Sequence, residues 1–258
     1  MPAPMNKLKA ALLRGDMQLG LWLNLTDPAA AEITALAGFD WGLIDAEHGP
    51  YDPLGVQVRL RALAQFDINA VVRVPIGEDW VIKQVLDMGA QSILVPMVDT
   101  AEEARRLVRA VRYAPNGVRG MGAAVARATG FGADADYIQT ADEQICLVVQ
   151  AETRTALENI DEIAAVEGVD CVFIGPADLS ADMGYPGNPD APEVQDAIRH
   201  IVTRTRAAGK AAGFLHFNTE NYAFYRDLGV NMLGTGADVF VLRESLSRLA
   251  QQARNAVR

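Results

Sequence analysis

Two acidic residues end two short apolar runs 26 positions apart: Glu152 follows LVVQA, and Asp178 follows CVFIGPA just past the Gly175-Pro176 turn. Between them Leu157, Ile160, Ile163 and Ala164 recur at helical spacing, and Gly168 stops the pattern, so the spacing predicts one amphipathic helix. A strand–helix–strand unit with a right-handed crossover makes its strands parallel neighbours and brings both carboxylates to the same end. Paired hard oxygen ligands suit a divalent cation such as Mg²⁺ or Mn²⁺, with substrate supplying other ligands. The plain alternative is a pair of solvated or capping acids. Other ionisable groups end other apolar runs: Asp45, Glu47 and His48 after WGLI, Arg73 after NAVV, and His216 after Leu215, with Trp22 inside GLWL. An inward-facing guanidinium such as Arg73 needs anionic partners. Taken together these are the parts for making an enolate from a 2-oxo acid. A metal polarises the carbonyl, Arg73 stabilises the oxyanion, and His48 or a water it controls moves the proton.

The elements that must position these groups are marked along the chain. Strand-like runs fall at 18–25, 41–44, 69–74, 92–95, 145–150, 171–174, 211–215 and 231–233. Asp27-Pro28 and Asp52-Pro53 pair an N-cap with a first-turn proline, Thr100 with Glu103 makes a capping box, and Asp190 with Glu193 sets acids across another first turn. Gly38, Gly89, Gly168, Gly209 and Gly229 each close a helix before the next strand. Strands alternating with helices in this way predict an α/β fold, a (β/α)₈ TIM barrel spanning residues 1–258 as one domain behind a short N-terminal helix. An open doubly wound sheet is the alternative, since periodicity does not show closure. Barrel chemistry belongs at the C-terminal ends of the strands, where the groups named above fall. One connection is long, the Gly- and Ala-rich stretch 114–137, and it could lie at either end of the barrel. Its Arg119 and Arg127 read either as solvated surface charges or as ligands for a distal substrate carboxylate.

With 258 residues, 50% of them apolar, the chain can bury a large core, and no linker or low-complexity run divides it. A net charge of -10 argues against nucleic acid and anionic membrane as partners. No apolar run reaches the roughly 18 residues of a membrane span. The N-terminal stretch has no apolar signal core, and Cys146 and Cys171 sit at the starts of apolar strands as small buried thiols. The expectation is a reduced, cytoplasmic protein.

A series of segments in order, GLWL, AGFDWGLIDAEHGP, VVRVP, LDMGAQSILVPMV, EEARRLVRAVRYAPNGVRG, VVQAET and EGVDCVFIGPADLSADMGYPGNP, resembles the class II, metal-dependent pyruvate aldolases of the 4-hydroxy-2-oxoheptanedioate and 2-dehydro-3-deoxyglucarate type. The resemblance covers nearly the whole chain. It implies a barrel of the phosphoenolpyruvate/pyruvate superfamily and assembly as a homohexamer. It also implies reversible cleavage of a 4-hydroxy-2-oxo acid to pyruvate and an aldehyde through a metal-bound enolate, in aromatic or sugar-acid catabolism. Residue by residue, His48 matches the family's acid/base and Arg73 its enolate stabiliser. Glu152 and Asp178 match ligands of Mg²⁺, Mn²⁺ or Co²⁺, while Gln150 and the Ala177 backbone match pyruvate contacts. Trp22, Asp45, Gly175, Pro176, Asp178 and Leu215 complete the expected substrate-binding set. Asp87 matches an acid that raises the basicity of the histidine.

Asp87 sits awkwardly in this topology, because the end of the third barrel helix faces away from the strand C-termini. A neighbouring subunit would resolve that. Ala123 stands where the family has a serine, and His216 where an aliphatic residue is expected; strand alternation turns His216 outward. Three rivals remain. A Schiff-base aldolase needs a strand-end lysine, but the chain has only Lys7, Lys9, Lys83 and Lys210. A CoA-ester lyase would call for a basic phosphate-binding segment, and a non-catalytic binding barrel would have no use for the clustered ionisable groups.

Overall fold

The protein is described here from a computed structural model covering residues 1–50 and 52–258. Eight parallel strands close on themselves: β1 (Gln18–Leu23), β2 (Trp41–Asp45), β3 (Asn69–Arg73), β4 (Ser92–Val95), β5 (Cys146–Ala151), β6 (Cys171–Ile174), β7 (Ala211–Leu215) and β8 (Met232–Ala237). Each pairs with its sequence neighbours, and β8 returns to β1, so the barrel has no free edge and the open-sheet alternative is excluded.

Among the described residues α1 (Lys7–Arg14) precedes the barrel; α2 (Pro28–Leu36), α3 (Pro53–Leu63), α4 (Asp79–Asp87) and α5 (Ala101–Ala110) follow the first four strands. Next come α6 (Tyr137–Thr140) before β5, α7 (Arg154–Glu158) and α8 (Ile160–Ala164) after it, and α9 (Pro176–Asp182) and α10 (Pro192–Ala207) after β6. Finally α11 (Tyr222–Leu228) and α12 (Asp238–Ala256) follow the last two strands.

The helix starts read from sequence take the expected form. Asp27 and Asp52 accept from amides of the first turn, and Thr100 with Glu103 closes the full capping box. Two details differ. The helix between Glu152 and Asp178 is two short helices, because Asn159 breaks the turn and its Nδ2 donates to the Asp99 carbonyl at 2.9 Å, tying the break to the β4–α5 loop. Asp190 is not a cap: Ala191 holds that position, leaving only Glu193 in the first turn of α10.

Strand alternation sorts the core into two shells. Leu43, Val71 and Val148 point into the barrel with Trp22, Trp41 and Phe173, while Ile44, Val72 and Val149 pack under the helices. Leu8 and Leu12 of α1 pack into the inner shell, so that helix stops the barrel at the N-terminal ends of the strands. Higher in the barrel Gly234 makes room for Trp22, since a Cβ would lie 2.5 Å from its ring. Cys146 and Cys171 are free and buried, as their positions predicted, and burial pushes both thiols up.

The long segment 114–137 follows a helix rather than a strand, so chain direction sets it at the N-terminal end of the barrel. Arg119 is not a solvated surface charge. It is 3% exposed, its guanidinium lies 4.3 Å from the Tyr113 ring centroid, and it donates to Asp87 at 2.9 Å. Arg127 donates to the Met88 carbonyl on the same face. Among the described residues no helix is long and apolar enough to cross a membrane.

Candidate active site

A cavity of about 540 Å³ opens at the C-terminal ends of the strands. It gathers nearly every group the sequence singled out: Trp22, Asp45, His48, Arg73, Gln150, Gly175, Pro176, Ala177, Asp178 and Leu215 all border it. Its floor is aromatic, with the Trp22 ring 5.5 Å from that of Trp41 and 5.4 Å from that of Phe173.

The most ordered feature of the wall is an ion pair between the last residues of β2 and β3, which the sheet register sets side by side. Arg73 donates through Nε to Asp45 Oδ1 at 3.0 Å and through Nη2 to Oδ2 at 2.8 Å, a bidentate fork between groups 7% and 1% exposed. Arg73 Nη1 lies 2.8 Å from Glu47 Oε2. Burial pushes the Asp45 carboxyl up, but the bonds and charge of Arg73, with the Glu47 and His48 amides, bring it below the usual carboxylate range. Glu47 goes the other way. Burial raises it, and the charge of Arg73 offsets that only in part. His48 stands at the rim on the turn after β2, its side chain 66% exposed and its Nε2 4.0 Å from Glu47 Oε2.

On the opposite wall, alternation along β5 turns Gln150 and then Glu152 inward. Glu152 is 1% exposed; its Oε1 accepts from the Met97 amide at 2.8 Å, and its Oε2 accepts from Gln150 Nε2. Met97 reaches that position through a left-handed backbone, φ 55°, which a side chain adopts at a cost. Gly175 closes over the pair: a Cβ there would fall 2.2 Å from Glu152 Oε2 and 2.7 Å from Gln150 Nε2, so any side chain at this turn would displace them. Asp178, in the first turn of α9, is exposed to the cavity. Burial drives the Glu152 carboxyl up to about 7, the charges of Asp178 and Glu47 push the same way, and the bonds from Met97 and Gln150 oppose it.

Arg73 pairs with Asp45 and Glu47, and the charges of Asp178 and Glu47 bear on Glu152, so this end of the barrel carries an excess of negative charge that a cation would neutralise. The side-chain oxygen Oε1 of Gln150 is buried with no hydrogen-bond partner. Among the described residues no cluster of three His, Cys, Asp or Glu could hold a metal unaided. The two acids Glu152 and Asp178 therefore fit a cation that keeps part of its shell for substrate or water.

Two residues stand apart from the rest of the set, as the sequence indicated. Asp87 is not brought to the site within the chain, because α4 runs back from the active end and its last residue lies at the opposite face, bonded to Arg119. His216 does stack outward on Phe214 and Tyr225, yet its ring also borders the cavity, with Nε2 2.9 Å from Asn221 Nδ2. Of the four lysines none borders the cavity, so a Schiff-base nucleophile is not at hand. The sequence reading missed Asn24, Asp190 and Asn218 on the cavity wall. Asn24 and Asn218 are single polar residues in connections with no spacing signal to set them apart, and Asp190 carried only the signal of a helix start.

Residues 18–245 match the model of the family described as HpcH/HpaI aldolase/citrate lyase. A hydroxypyruvate/pyruvate aldolase from Agrobacterium fabrum is 54% identical over 97% of this chain and 94% of its own. A 4-hydroxy-2-oxo-heptane-1,7-dioate aldolase from Shigella flexneri is 48% identical over 97% and 94%. The crystal structure of an HpcH/HpaI aldolase/citrate lyase family protein from Burkholderia cenocepacia superposes with a TM-score of 0.94 at 37% identity, covering 97% of this chain and 100% of that one. From the family model, the identities and the shared barrel alike, the chain belongs to the HpcH/HpaI aldolase/citrate lyase family.

Proposed function

We infer that the chain is a lyase, an aldolase that reversibly cleaves a 4-hydroxy-2-oxo acid to an aldehyde and pyruvate or a close 2-oxo acid such as hydroxypyruvate. The observation that carries this reading is the buried Arg73–Asp45 fork on a cavity that Asp178 also borders, with Glu152 buried directly behind Gly175 of its wall. The names borne by the relatives at 54% and 48% identity agree on the reaction and differ in the acids they act on.

Glu152 and Asp178 would hold a divalent metal, Mg²⁺, Mn²⁺ or Co²⁺, which when bound supplies Lewis acidity toward the 2-oxo oxygen. Two of the five guanidinium N–H groups of Arg73 are spent on Asp45, leaving one on Nη2 and the two on Nη1 for that oxygen, with Glu47 an ion-pair contact beside Nη1. His48, at the rim, takes the proton of the C4 hydroxyl. The C3–C4 bond then breaks, its electron pair moves into an enolate whose oxygen Arg73 stabilises, and protonation at C3 releases the 2-oxo acid. Gln150, the turn Gly175-Pro176-Ala177 and Trp22 shape the pyruvate end, and Leu215 lies on the acceptor side. We carry the homo-oligomer, a hexamer, as part of the proposal: α12 leaves Val241, Leu246 and Leu249 half exposed or more, and Asp87 reaches a histidine only in another subunit. A reducing cytoplasm suits the two free thiols.

The test is a panel of 4-hydroxy-2-oxo acids of varied length and charge, with the released 2-oxo acid coupled to a reporter. Cleavage that stops on chelation and returns with Mg²⁺, Mn²⁺ or Co²⁺ is expected. Full cleavage in metal-free protein would remove the metal from the mechanism.

A further inference from the structure

Arg73 is oriented by Asp45, and Asp45 is itself braced. Its Oδ1 accepts from Arg73 Nε at 3.0 Å and from the amides of Glu47 and His48 at 3.1 and 3.3 Å. Its Oδ2 accepts from Arg73 Nη2 and from Asn24 Nδ2, both at 2.8 Å. The two amides belong to the turn that follows Asp45, and Arg73 is the group to be aimed. Among the described residues Asn24 is therefore the one side-chain donor that fixes Asp45 from outside, and it comes from the end of β1 on the other side of β2.

Asn24 is in turn held on both flanks. On one side Arg59, fully enclosed, donates from Nη1 to the Leu23 carbonyl at 3.3 Å. On the other, the two oxygens of Asp238 accept from the Asn24 and Leu25 amides at 3.0 and 3.1 Å. Asp238 opens α12, is 8% exposed and also accepts from its neighbour Val239 at 2.7 Å, so helix start and loop share one anchor. The last torsion of an aspartate is broad, and a carboxylate gripped only by an arginine fork can turn with it. A further bond to one oxygen, from a donor fixed independently, sets the plane of the carboxylate and hence the aim of the fork. A misplacement of about 1 Å at such a group can cost on the order of 10² in rate.

We propose that Asn24 is a positioning residue for Arg73, acting through Asp45 and anchored by Asp238. The proposal rests on the reading of Arg73 as the enolate stabiliser. Asn24 also borders the cavity, so direct contact with substrate is the competing role.

The experiment measures kcat and KM for cleavage with Asn24→Leu, close in volume but without a donor, in the wild-type and Arg73→Ala backgrounds. Asn24→Ser, whose hydroxyl is too short to reach Asp45, runs in parallel as the variant less disturbing to the loop. In the wild-type background either change should lower kcat about 10-fold, the loss of one hydrogen bond to a charged group, with KM within about 2-fold. In the Arg73→Ala background the further loss should stay under about 2-fold, because the group being aimed is gone. Asp238→Asn should lower kcat in the wild type without adding to Asn24→Leu. The same loss in both backgrounds, a loss confined to KM, or no loss with both variants would overturn the proposal. Arg73→Ala alone tests the reading beneath it: an unchanged kcat there discards Arg73 as stabiliser, whatever Asn24 does.

Discussion

Replacing Arg73 with alanine is expected to lower kcat for cleavage by about 10² to 10³, or about 3 to 4 kcal/mol of transition-state stabilisation. In the retro-aldol direction charge collects on one oxygen only as the C3–C4 bond breaks, so a fixed guanidinium favours the enolate over the neutral ketone and its loss falls on kcat. Arg73→Lys should recover only part, since an ammonium on a flexible stem cannot make the fork on Asp45 and reach the substrate together. The alanine variant also leaves Asp45 buried without its partner, a cost on the order of 3 kcal/mol of stability. Rates should therefore be measured on protein whose unfolding transition is followed in parallel. A rise in KM alone, with kcat kept, would make Arg73 a clamp on the substrate's distal end instead.

Replacing Glu152 with glutamine is expected to remove metal-dependent activity to the limit of detection, and calorimetric titration with Mn²⁺ should show affinity lost by 10-fold or more, on the order expected when a carboxylate ligand is neutralised. The wild type carries a linked pH dependence. Its Glu152 carboxyl sits at about 7 in the metal-free chain against 4.5 for an exposed one, because it is buried among acids. The folded state therefore holds that proton more tightly than the unfolded state. From this group the metal-free protein loses stability as pH rises from about 4.5 through 7, and loses nothing further above. Metal requires the deprotonated carboxylate, so its affinity should fall as pH drops below 7, with proton uptake on release. A metal affinity flat between pH 6 and 8, the decade on either side of that value, would mean Glu152 is not a ligand.

Much of the site could be read before the fold was seen, and the reason is local. Asp45, Arg73 and Glu152 each stand at or one residue past the end of an apolar strand, and a barrel brings all such ends together. The capping residues Asp27, Asp52 and Thr100 marked helix starts through bonds made within one turn. What escaped depends on partners distant in sequence. Asn159 breaks a helix by bonding Asp99, some sixty residues back; Arg119 is buried because Tyr113 and Asp87 receive it; Asn24 meets Asp45 only once β1 and β2 pair. The β8 run looked short because Gly234 and Gly236 carry no side chain to show alternation, although the strand continues to Ala237. Asp87 shows the limit of a correspondence by motif: its position in α4 is as the sequence indicated, and its place across the barrel from His48 follows from the direction of that helix.

The central claim is that this cavity makes an enolate of a 2-oxo acid, and the half-reaction without aldehyde isolates it. Wild-type protein loaded with Mn²⁺ or Mg²⁺ and incubated with pyruvate in deuterated water should exchange the methyl protons, followed by proton NMR. Chelation should stop the exchange, and Arg73→Ala should slow it by the same factor as cleavage. Cleavage of a 4-hydroxy-2-oxo acid with no methyl exchange, or exchange at the wild-type rate in Arg73→Ala, would contradict the account.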